Sequence, residues 1–388
     1  MVSNNYIPYG TQWIDDEDIK SVVSVLKSDW LTTGPKVAEF EKKFARYVNA
    51  KYAVAVSSGT AALHTASFAA GISKDDEAIT TPMTFAASSN CVLYQNGIPV
   101  FADIDKKTYN IDPKEIEKKI TNKTKVIIPV DYTGQPCDID VINEIAEKNN
   151  LIVLEDASHS IGSKYKGKKI GGLSDLSIFS FHPVKHITTG EGGMITTNSK
   201  DMYGKLLLFR NHGIYKNSEN LISSDEGDWF YEQQVLGYNY RLTDIQCVLG
   251  LSQLKKVDSF IKRRNEIVKK YNNAFEKVDE IITPSQLDYV ESSWHLYVIQ
   301  LDLDELKVNR KIIFDEFRKN NLGVQVHYIP VYFHPYYKQI GYKRGLCPNA
   351  EWLYKRIISL PLYPKMTDED AEYVIDTVKK VIKKHSKR

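Results

Sequence analysis

Short apolar runs alternate with longer mixed segments along the first half of the chain. Several of these runs are nearly continuous in Val, Ile, Leu and Phe, a pattern typical of strands buried on both faces. The runs predicted to be strands span residues 52–56, 77–80, 99–102, 125–130, 151–155, 177–181 and 193–197. Between two of them, Ile139, Ile142 and Ile145 recur at helical spacing. Strands that alternate with helices predict βαβ units and a mostly parallel sheet.

The pattern changes after about residue 250. Apolar residues from Leu251 to Phe275 predict one face of a long helix, whose other side is rich in Lys, Arg, Asn and Glu. We therefore expect a large domain, residues 1–250, and a smaller α/β domain with its connecting helix, residues 251–388. The basic tail, residues 379–388, is interpreted as a helix end rather than a nucleic-acid patch. Beyond the long helix we expect strands at 296–301 and 324–328 and helices at 309–321, 349–358 and 368–384.

Composition restricts the classes of protein. The 388 residues carry 51 Lys and Arg against 49 Asp and Glu, a net charge of +2. That balance gives no general attraction to nucleic acid or to an acidic membrane surface. No apolar run approaches the ~18 residues that cross a bilayer. The four cysteines lie far apart, so we expect reduced thiols in a cytoplasmic enzyme.

Several common catalytic motifs do not occur in the sequence. There is no P-loop, no GxGxxG fingerprint, no GxSxG and no HExxH. A nicotinamide oxidoreductase therefore loses its main support. His182 and His186 have the spacing of a helical metal pair, but Pro183 stands between them, so no metal site is expected.

Two segments that follow predicted strands carry groups suited to a ligand, since open parallel sheets bind ligands at the carboxyl ends of their strands. Residues 57–63, SSGTAAL, put free backbone N–H groups and the Thr60 hydroxyl at a helix N-terminus, where a phosphate can bind. Asp156 stands three positions before His159, and a carboxylate stabilises a protonated ring nitrogen beside it. An ordinary capped helix is the alternative for each segment.

A third segment, residues 177–193, runs from a predicted strand into a loop that carries one lysine, Lys185, and then a glycine cluster. A lysine at the ligand edge of a sheet can form a Schiff base with an aldehyde cofactor. An ordinary solvated lysine is the alternative. The fourth segment, residues 237–246, places polar side chains in a turn before a helix, which is also compatible with capping alone.

In this order and spacing, SGTAAL, EDASH, SFHPVKHITTGEGG and GYNYRLTDIQ resemble the sugar aminotransferases of the DegT/DnrJ/EryC1/StrS family over nearly the whole chain. The resemblance implies a type I pyridoxal-phosphate (PLP) transferase fold, an α/β fold with a mostly parallel seven-stranded sheet, and PLP as cofactor. It implies that Lys185 is catalytic and binds PLP, and that Asp156 pairs with the pyridine nitrogen. Further implied contacts are Gly59, Thr60 and Ser180 at the phosphate, Phe85 stacked on the ring, His159 beside it, and Asn239 at the phosphate of the other subunit of a homodimer.

Within the family, VDYTG, SHSIGSKY and VQVHYIP are similar to enzymes that aminate UDP-linked sugars in pseudaminic acid synthesis. This implies transfer of an amino group from glutamate to C4 of a 4-keto-6-deoxy nucleotide sugar. The alternatives are a GDP-perosamine type of substrate, amination at C3, glutamine as donor, and a PLP-dependent dehydratase. Family dehydratases carry His where this chain has Lys185, which favours amino transfer. The residues implied at the nucleotide-sugar site are Tyr9, Leu31, Thr32, Thr33, Gly34, His327 and Tyr328.

Overall fold

A computed structural model of the chain describes residues 6–216, 218–223 and 226–388. Its strands are β1 (Tyr52–Val56), β2 (Glu77–Thr80), β3 (Ile98–Phe101), β4 (Thr124–Ile128), β5 (Ile152–Asp156), β6 (Lys164–Tyr165), β7 (Lys168–Lys169), β8 (Leu176–Ser180), β9 (Gly193–Thr197), β10 (Ile214–Tyr215), β11 (Glu232–Gln233), β12 (Ile281–Ile282), β13 (Val290–Glu291), β14 (Tyr297–Leu301) and β15 (Ile357–Leu360). Its helices are α1 (Asp16–Leu26), α2 (Pro35–Tyr47), α3 (Gly59–Ala69), α4 (Ala87–Tyr94), α5 (Pro113–Glu117), α6 (Ile139–Asn149), α7 (Lys200–Arg210), α8 (Asp244–Leu254), α9 (Val257–Phe275), α10 (Arg310–Lys319), α11 (Pro335–Gln339), α12 (Pro348–Tyr354) and α13 (Asp368–His385).

The central sheet has seven strands in the order β1-β9-β8-β5-β4-β2-β3. Strand β9 pairs antiparallel with β1 and β8, whereas the other neighbouring pairs are parallel. The predicted α/β class and mostly parallel sheet are confirmed. The reversal of β9 follows from its connection, because β8 and β9 are joined by a loop and not by a crossover helix. That loop carries Lys185.

Helices cover both faces of the central sheet. The side chains of α2, α6 and α8 pack on one face, and those of α3, α4 and α7 pack on the other. Helix α3 begins directly after β1 because Ser58 caps it, accepting a hydrogen bond from the Ala61 N–H at 3.0 Å. Capping boxes at Thr243 and Thr367 start α8 and α13 in the same way.

The C-terminal part of the chain builds a second core around the small antiparallel sheet β12-β14-β15. Helices α9, α10 and α13 bury their apolar faces against it, together with Ile7 from the N-terminal region. A further cluster, which includes Met83, Phe101, Val298 and Val331, joins this part to the central sheet. The division of the chain near residue 250 stays a prediction.

Three expectations for the second half of the chain are wrong. The segment predicted as a strand at 324–328 forms only an isolated bridge, between Gln325 and Ser359. The helix predicted to reach residue 358 ends at Tyr354, and the apolar run that follows it is strand β15. Periodicity cannot distinguish so short an apolar run from the end of a buried helix. The single long helix is two helices, because α8 ends at Leu254 and α9 begins at Val257.

The basic tail is a helix end, as expected. Helix α13 continues to His385, and Lys384 and His385 lie 2.7 and 2.9 Å from the Glu316 carboxylate of α10. These contacts and the helix dipole account for the cluster of cations. Within the described part of the chain, no helix combines the length and apolar character that crossing a membrane requires.

Candidate active site

A cavity of about 740 Å³ opens at the carboxyl edge of the parallel strands, where open α/β sheets bind their ligands. Its wall combines residues that follow β1, β2, β5 and β8 with residues 325–329 of the C-terminal part. Ten of the residues predicted to form the site line this one cavity: Tyr9, Gly59, Thr60, Phe85, Asp156, His159, Ser180, Lys185, His327 and Tyr328.

One end of the cavity is formed by the first turn of α3. Its first helical hydrogen bond runs from the Ala62 N–H to the Ser58 carbonyl at 2.9 Å, so the N–H groups of Gly59 and Thr60 precede the helical ladder. A Cβ atom on Gly59 would lie 3.0 Å from Cβ and 3.1 Å from Oγ of Ser180. The absence of a side chain therefore keeps Ser180 close to the helix N-terminus, an arrangement suited to a phosphate.

Asp156, the last residue of β5, supplies a buried carboxylate to the cavity. The Ser88 hydroxyl donates to Oδ2 at 2.6 Å, and the Ser158 N–H donates to Oδ1 at 3.1 Å. Thr84 in turn lies 2.7 Å from the Ser88 hydroxyl. No cation of the described residues forms an ion pair with Asp156. A buried carboxylate held only by neutral donors fits the N–H of a pyridinium ring.

Two further acids lie behind Asp156. Asp131 accepts hydrogen bonds from the Ser160 hydroxyl at 2.6 Å and from the Cys137 N–H at 2.9 Å. Burial raises the pKa of Asp131 to about 7 and raises the pKa of Glu155 well above its ordinary value. Burial thus favours the neutral form of both acids, which opposes the accumulation of negative charge beside Asp156.

Lys185 reaches the cavity from the loop between β8 and β9. Burial lowers the pKa of its amine from 10.5 to about 8, and the nearby Asp156 carboxylate opposes that shift. A substantial fraction of neutral amine is therefore present close to neutral pH, as Schiff-base chemistry requires. Two histidines of this loop lie on either side of Lys185 in sequence and differ in exposure. His182 is exposed to solvent, whereas His186 is buried.

The opposite wall of the cavity is formed by His159, His327 and Tyr328. The Nε2 atom of His159 lies 3.2 Å from the Tyr328 hydroxyl, and the Nδ1 atom of His327 lies 2.8 Å from the Ser359 hydroxyl. Burial, together with the charge of Lys185, lowers the pKa of His327 to about 4 and that of His159 well below its ordinary value. Both rings are therefore neutral bases or donors at physiological pH.

Some residues of the cavity were not found from the sequence. Ser88 and His295 both line it, the first from α4 and the second from the segment before β14. Ser88 stands four residues after Thr84 on one side of a helical turn, and His295 directly precedes a predicted strand, which are the only signals that the sequence offers. Phe85 was expected, and its ring is 63% exposed at the cavity mouth.

Five predicted residues lie outside this cavity within one chain. Thr32 bridges to Thr243, and the backbone N–H of Gly34 donates to the Asp244 carboxylate at 2.7 Å, so the segment 31–34 lies at the start of α8. Asn239 is exposed and its backbone bridges to Asn211. The roles of these five residues stay predictions.

In the described part of the chain, no group of three or more potential metal ligands comes together.

A helix N-terminus, a carboxylate without a cationic partner and a lysine of lowered pKa, gathered at one sheet edge, define the site of an enzyme suited to PLP. Residues 12–379 match the DegT/DnrJ/EryC1/StrS aminotransferase family, and the chain belongs to this family. It is a sugar aminotransferase.

Individual relatives cover nearly the whole chain. It is 45% identical over 382 residues to the spore coat polysaccharide biosynthesis protein SpsC of Bacillus subtilis, with 98% of each chain covered. It is 41% identical over 384 residues to a UDP-4-amino-4,6-dideoxy-N-acetyl-beta-L-altrosamine transaminase of Campylobacter jejuni, with 98% of this chain and 99% of the relative covered.

Solved structures show the same fold. Helicobacter pylori PseC, an aminotransferase involved in the biosynthesis of pseudoaminic acid, superposes with a TM-score of 0.91 at 34% identity, covering 98% of this chain and 100% of that one. The PLP form of Spr1654 from Streptococcus pneumoniae superposes with a TM-score of 0.90 at 33% identity, covering 98% of this chain and 99% of the other. The predicted type I PLP-transferase fold is confirmed.

Proposed function

We propose that this chain uses PLP to transfer an amino group from glutamate to C4 of a 4-keto-6-deoxy UDP-sugar, in a pathway of the pseudaminic acid type. The observation that supports the cofactor is that Lys185 and Asp156 line one cavity, in which no cation of the described residues forms an ion pair with Asp156. The activity named for the Campylobacter relative and the pathway named for PseC support the substrate.

The residues of the cavity fit the parts of PLP one by one. Gly59, Thr60 and Ser180 would hold the phosphate, Asp156 would accept the pyridine N–H, and Phe85 would cover the ring. When bound, PLP supplies an electron sink for the charge left when a proton leaves the α carbon of the amino donor. Asp156 would stabilise that sink because its carboxylate keeps the ring nitrogen protonated.

Lys185 would act twice through its Nζ atom. As a neutral amine it would bind the cofactor aldehyde, and once displaced by the amino donor it would take the proton from the donor's α carbon. A pKa of about 8 suits both tasks, since the amine exists in both protonation states near neutral pH. Tyr9, His327 and Tyr328 would border the sugar on the other side of the cavity.

A second copy of the chain would complete the site. Leu31, Thr32, Thr33 and Gly34 lie at the start of α8, and the backbone of Asn239 bridges to Asn211. All five residues lie outside the cavity of their own chain. We propose that they reach the site of the partner in a cytoplasmic homodimer. Mixing inactive Lys185→Ala and Asn239→Ala variants should then restore part of the activity, because one site in each mixed dimer is intact. No recovery would contradict a shared site.

Product analysis tests the reaction. Purified protein is incubated with glutamate or glutamine and a panel of UDP- and GDP-linked keto sugars, and the products are identified by mass spectrometry. We expect a C4-amino UDP-sugar, no product without an amino donor, and no product from Lys185→Ala. The exposed Lys51→Ala serves as control.

Each other outcome has a defined meaning. Turnover without an amino donor would identify a dehydratase, and amination of a GDP-sugar or at C3 would replace the substrate assignment. The panel includes these sugars because SpsC, which is more similar to this chain than the Campylobacter enzyme is, is named for spore coat polysaccharide biosynthesis and for no particular sugar. Normal turnover by Lys185→Ala would refute the assigned role of that lysine.

A further inference from the structure

His295 is a buried imidazole that lines the cavity beside His159. The centroids of the two rings are 4.3 Å apart, with 43° between their planes. The Nδ1 atom of each ring is buried and has no hydrogen-bond partner among the described residues. Packing, and not a hydrogen bond between the rings, therefore holds the pair together.

The groups around the two imidazoles oppose a positive charge on either one. Lys185 and His186 face both rings, His327 faces His159, and the Arg264 guanidinium of α9 faces His295. Burial lowers the pKa of both His159 and His295 well below the ordinary value, and these neighbours lower it further. None of these neighbours is a carboxylate, so none of them offsets the effect.

Hydrogen bonds from Arg264 hold the backbone on both sides of His295. The Nη1 atom of the buried Arg264 donates to the carbonyl oxygens of Trp294, His295 and Leu362 at 3.1, 3.2 and 2.9 Å. On the other side, Nε2 of His186 lies 3.0 Å from the Ser293 carbonyl. The ring of His295 thus projects from a rigid support against a residue of the cavity wall.

We propose that His295 is a positioning residue: its ring fills the space beside His159 and holds that imidazole uncharged, with Nε2 at the Tyr328 hydroxyl. The inference rests on the proposed function only in placing the cofactor next to His159. The proposal assigns the role to the ring as a whole, because Nδ1 of His295 makes no hydrogen bond with the described residues.

The test compares His295→Ala, which opens space for water beside His159, with His295→Phe, which keeps a flat ring. PLP-free protein labelled with ¹³C at histidine Cε1 is titrated by NMR, and the His159 signal is assigned with His159→Gln. In the unaltered protein and in His295→Phe we expect His159 to stay uncharged at neutral pH, because burial holds its pKa well below the ordinary value. In His295→Ala we expect the pKa of His159 to rise, because water that reaches the imidazole stabilises its protonated form.

A second readout uses the protein loaded with PLP. His295→Ala should move the pH dependence of the visible absorption band of the bound cofactor by about one pH unit. It should also lower kcat by about tenfold or more while the KM for the sugar changes by less than about threefold. His295→Phe should keep both properties close to those of the unaltered enzyme.

Three results would overturn the proposal. The first is a pKa of His159 that does not rise in His295→Ala, and the second is a His295→Phe variant that behaves like His295→Ala. The third is a charged His159 at pH 7 in the unaltered protein. The last result would refute the proposal even if His295→Ala does not fold, and the comparison of His295→Phe with the unaltered protein remains available. The NMR results do not depend on catalysis, so a protein that fails to aminate sugars would refute the proposed function and leave this inference standing.

Discussion

Replacing Lys185 by Met should make the PLP-free protein more stable near neutral pH. Met keeps a long apolar side chain and removes the amine. In the folded protein, burial lowers the pKa of Lys185 from 10.5 to about 8, so the protonated amine is less favourable there than in the unfolded chain. For a base with a depressed folded pKa, the cost is complete below pH 8 and fades as the pH rises towards 10.5.

The size of the effect follows from the two pKa values. The difference between 10.5 and about 8 corresponds to about 3 kcal/mol of unfolding free energy at pH 6.5. At pH 9.5 the folded protein already carries the neutral amine, whereas most unfolded chains are still protonated, so about 1.4 kcal/mol remains. The attraction of Asp156 is already contained in the value for the folded state.

Urea unfolding of PLP-free protein at pH 6.5 and 9.5 measures this difference. We expect the unfolding free energy of Lys185→Met to exceed that of the unaltered protein by about 3 kcal/mol at pH 6.5 and by about half of that at pH 9.5. Lys51→Met, at an exposed position, should change the stability by less than about 0.5 kcal/mol at both pH values. The reasoning would be refuted if Lys185→Met were no more stable to unfolding at pH 6.5 than the unaltered protein, or if its gain in unfolding free energy were the same at both pH values.

Two further predictions concern the wall of the cavity. Ser88→Ala removes the 2.6 Å hydrogen bond to the Asp156 carboxylate and should lower the unfolding free energy by about 2 kcal/mol, measured in urea. Ser89→Ala, which removes a bond between two neutral hydroxyls at Tyr337, should cost about 1 kcal/mol, so equal losses would argue against a charged Asp156. Phe85→Ala should change stability by less than about 0.5 kcal/mol because the ring is 63% exposed, yet weaken PLP binding in a fluorescence titration. Unchanged PLP affinity would exclude Phe85 from the cofactor site.

The central sheet could be predicted because strands buried on both faces are continuous apolar runs. Strands β1 and β9 have the predicted bounds, and helix α6 has the predicted apolar spacing. In the C-terminal part the same rule finds β14 but misses β15. The apolar run of β15 follows a helix directly, and residues 324–328 form only the isolated bridge between Gln325 and Ser359. Their state depends on contacts distant in sequence, which local periodicity does not contain.

The predictable part of the site has the same origin. Asp156 is the last residue of a strand, and Gly59 and Lys185 come after the ends of two others, so the sheet brings all three to one edge. The positions of Ser88 and His295 could not be predicted in this way, because Ser88 lies on a helix and His295 lies in the C-terminal part of the chain. No local pattern marks a serine that supports a carboxylate or a histidine that packs on another.

The cavity gathers groups that are poorly satisfied in the folded chain. The Lys185 amine is buried against its preference, and Asp156 forms no ion pair with a described residue. The Nδ1 atoms of His159 and His295 have no hydrogen-bond partner among the described residues. Each group lowers stability, which the apolar cores on both sides of the sheet must offset. A ligand with an aldehyde, a ring N–H and an anionic end would satisfy the lysine, the carboxylate and the first turn of α3 together. The unpaired groups that lower the stability of the ligand-free protein therefore favour binding of such a ligand. A group already paired within the protein would add little to the free energy of binding.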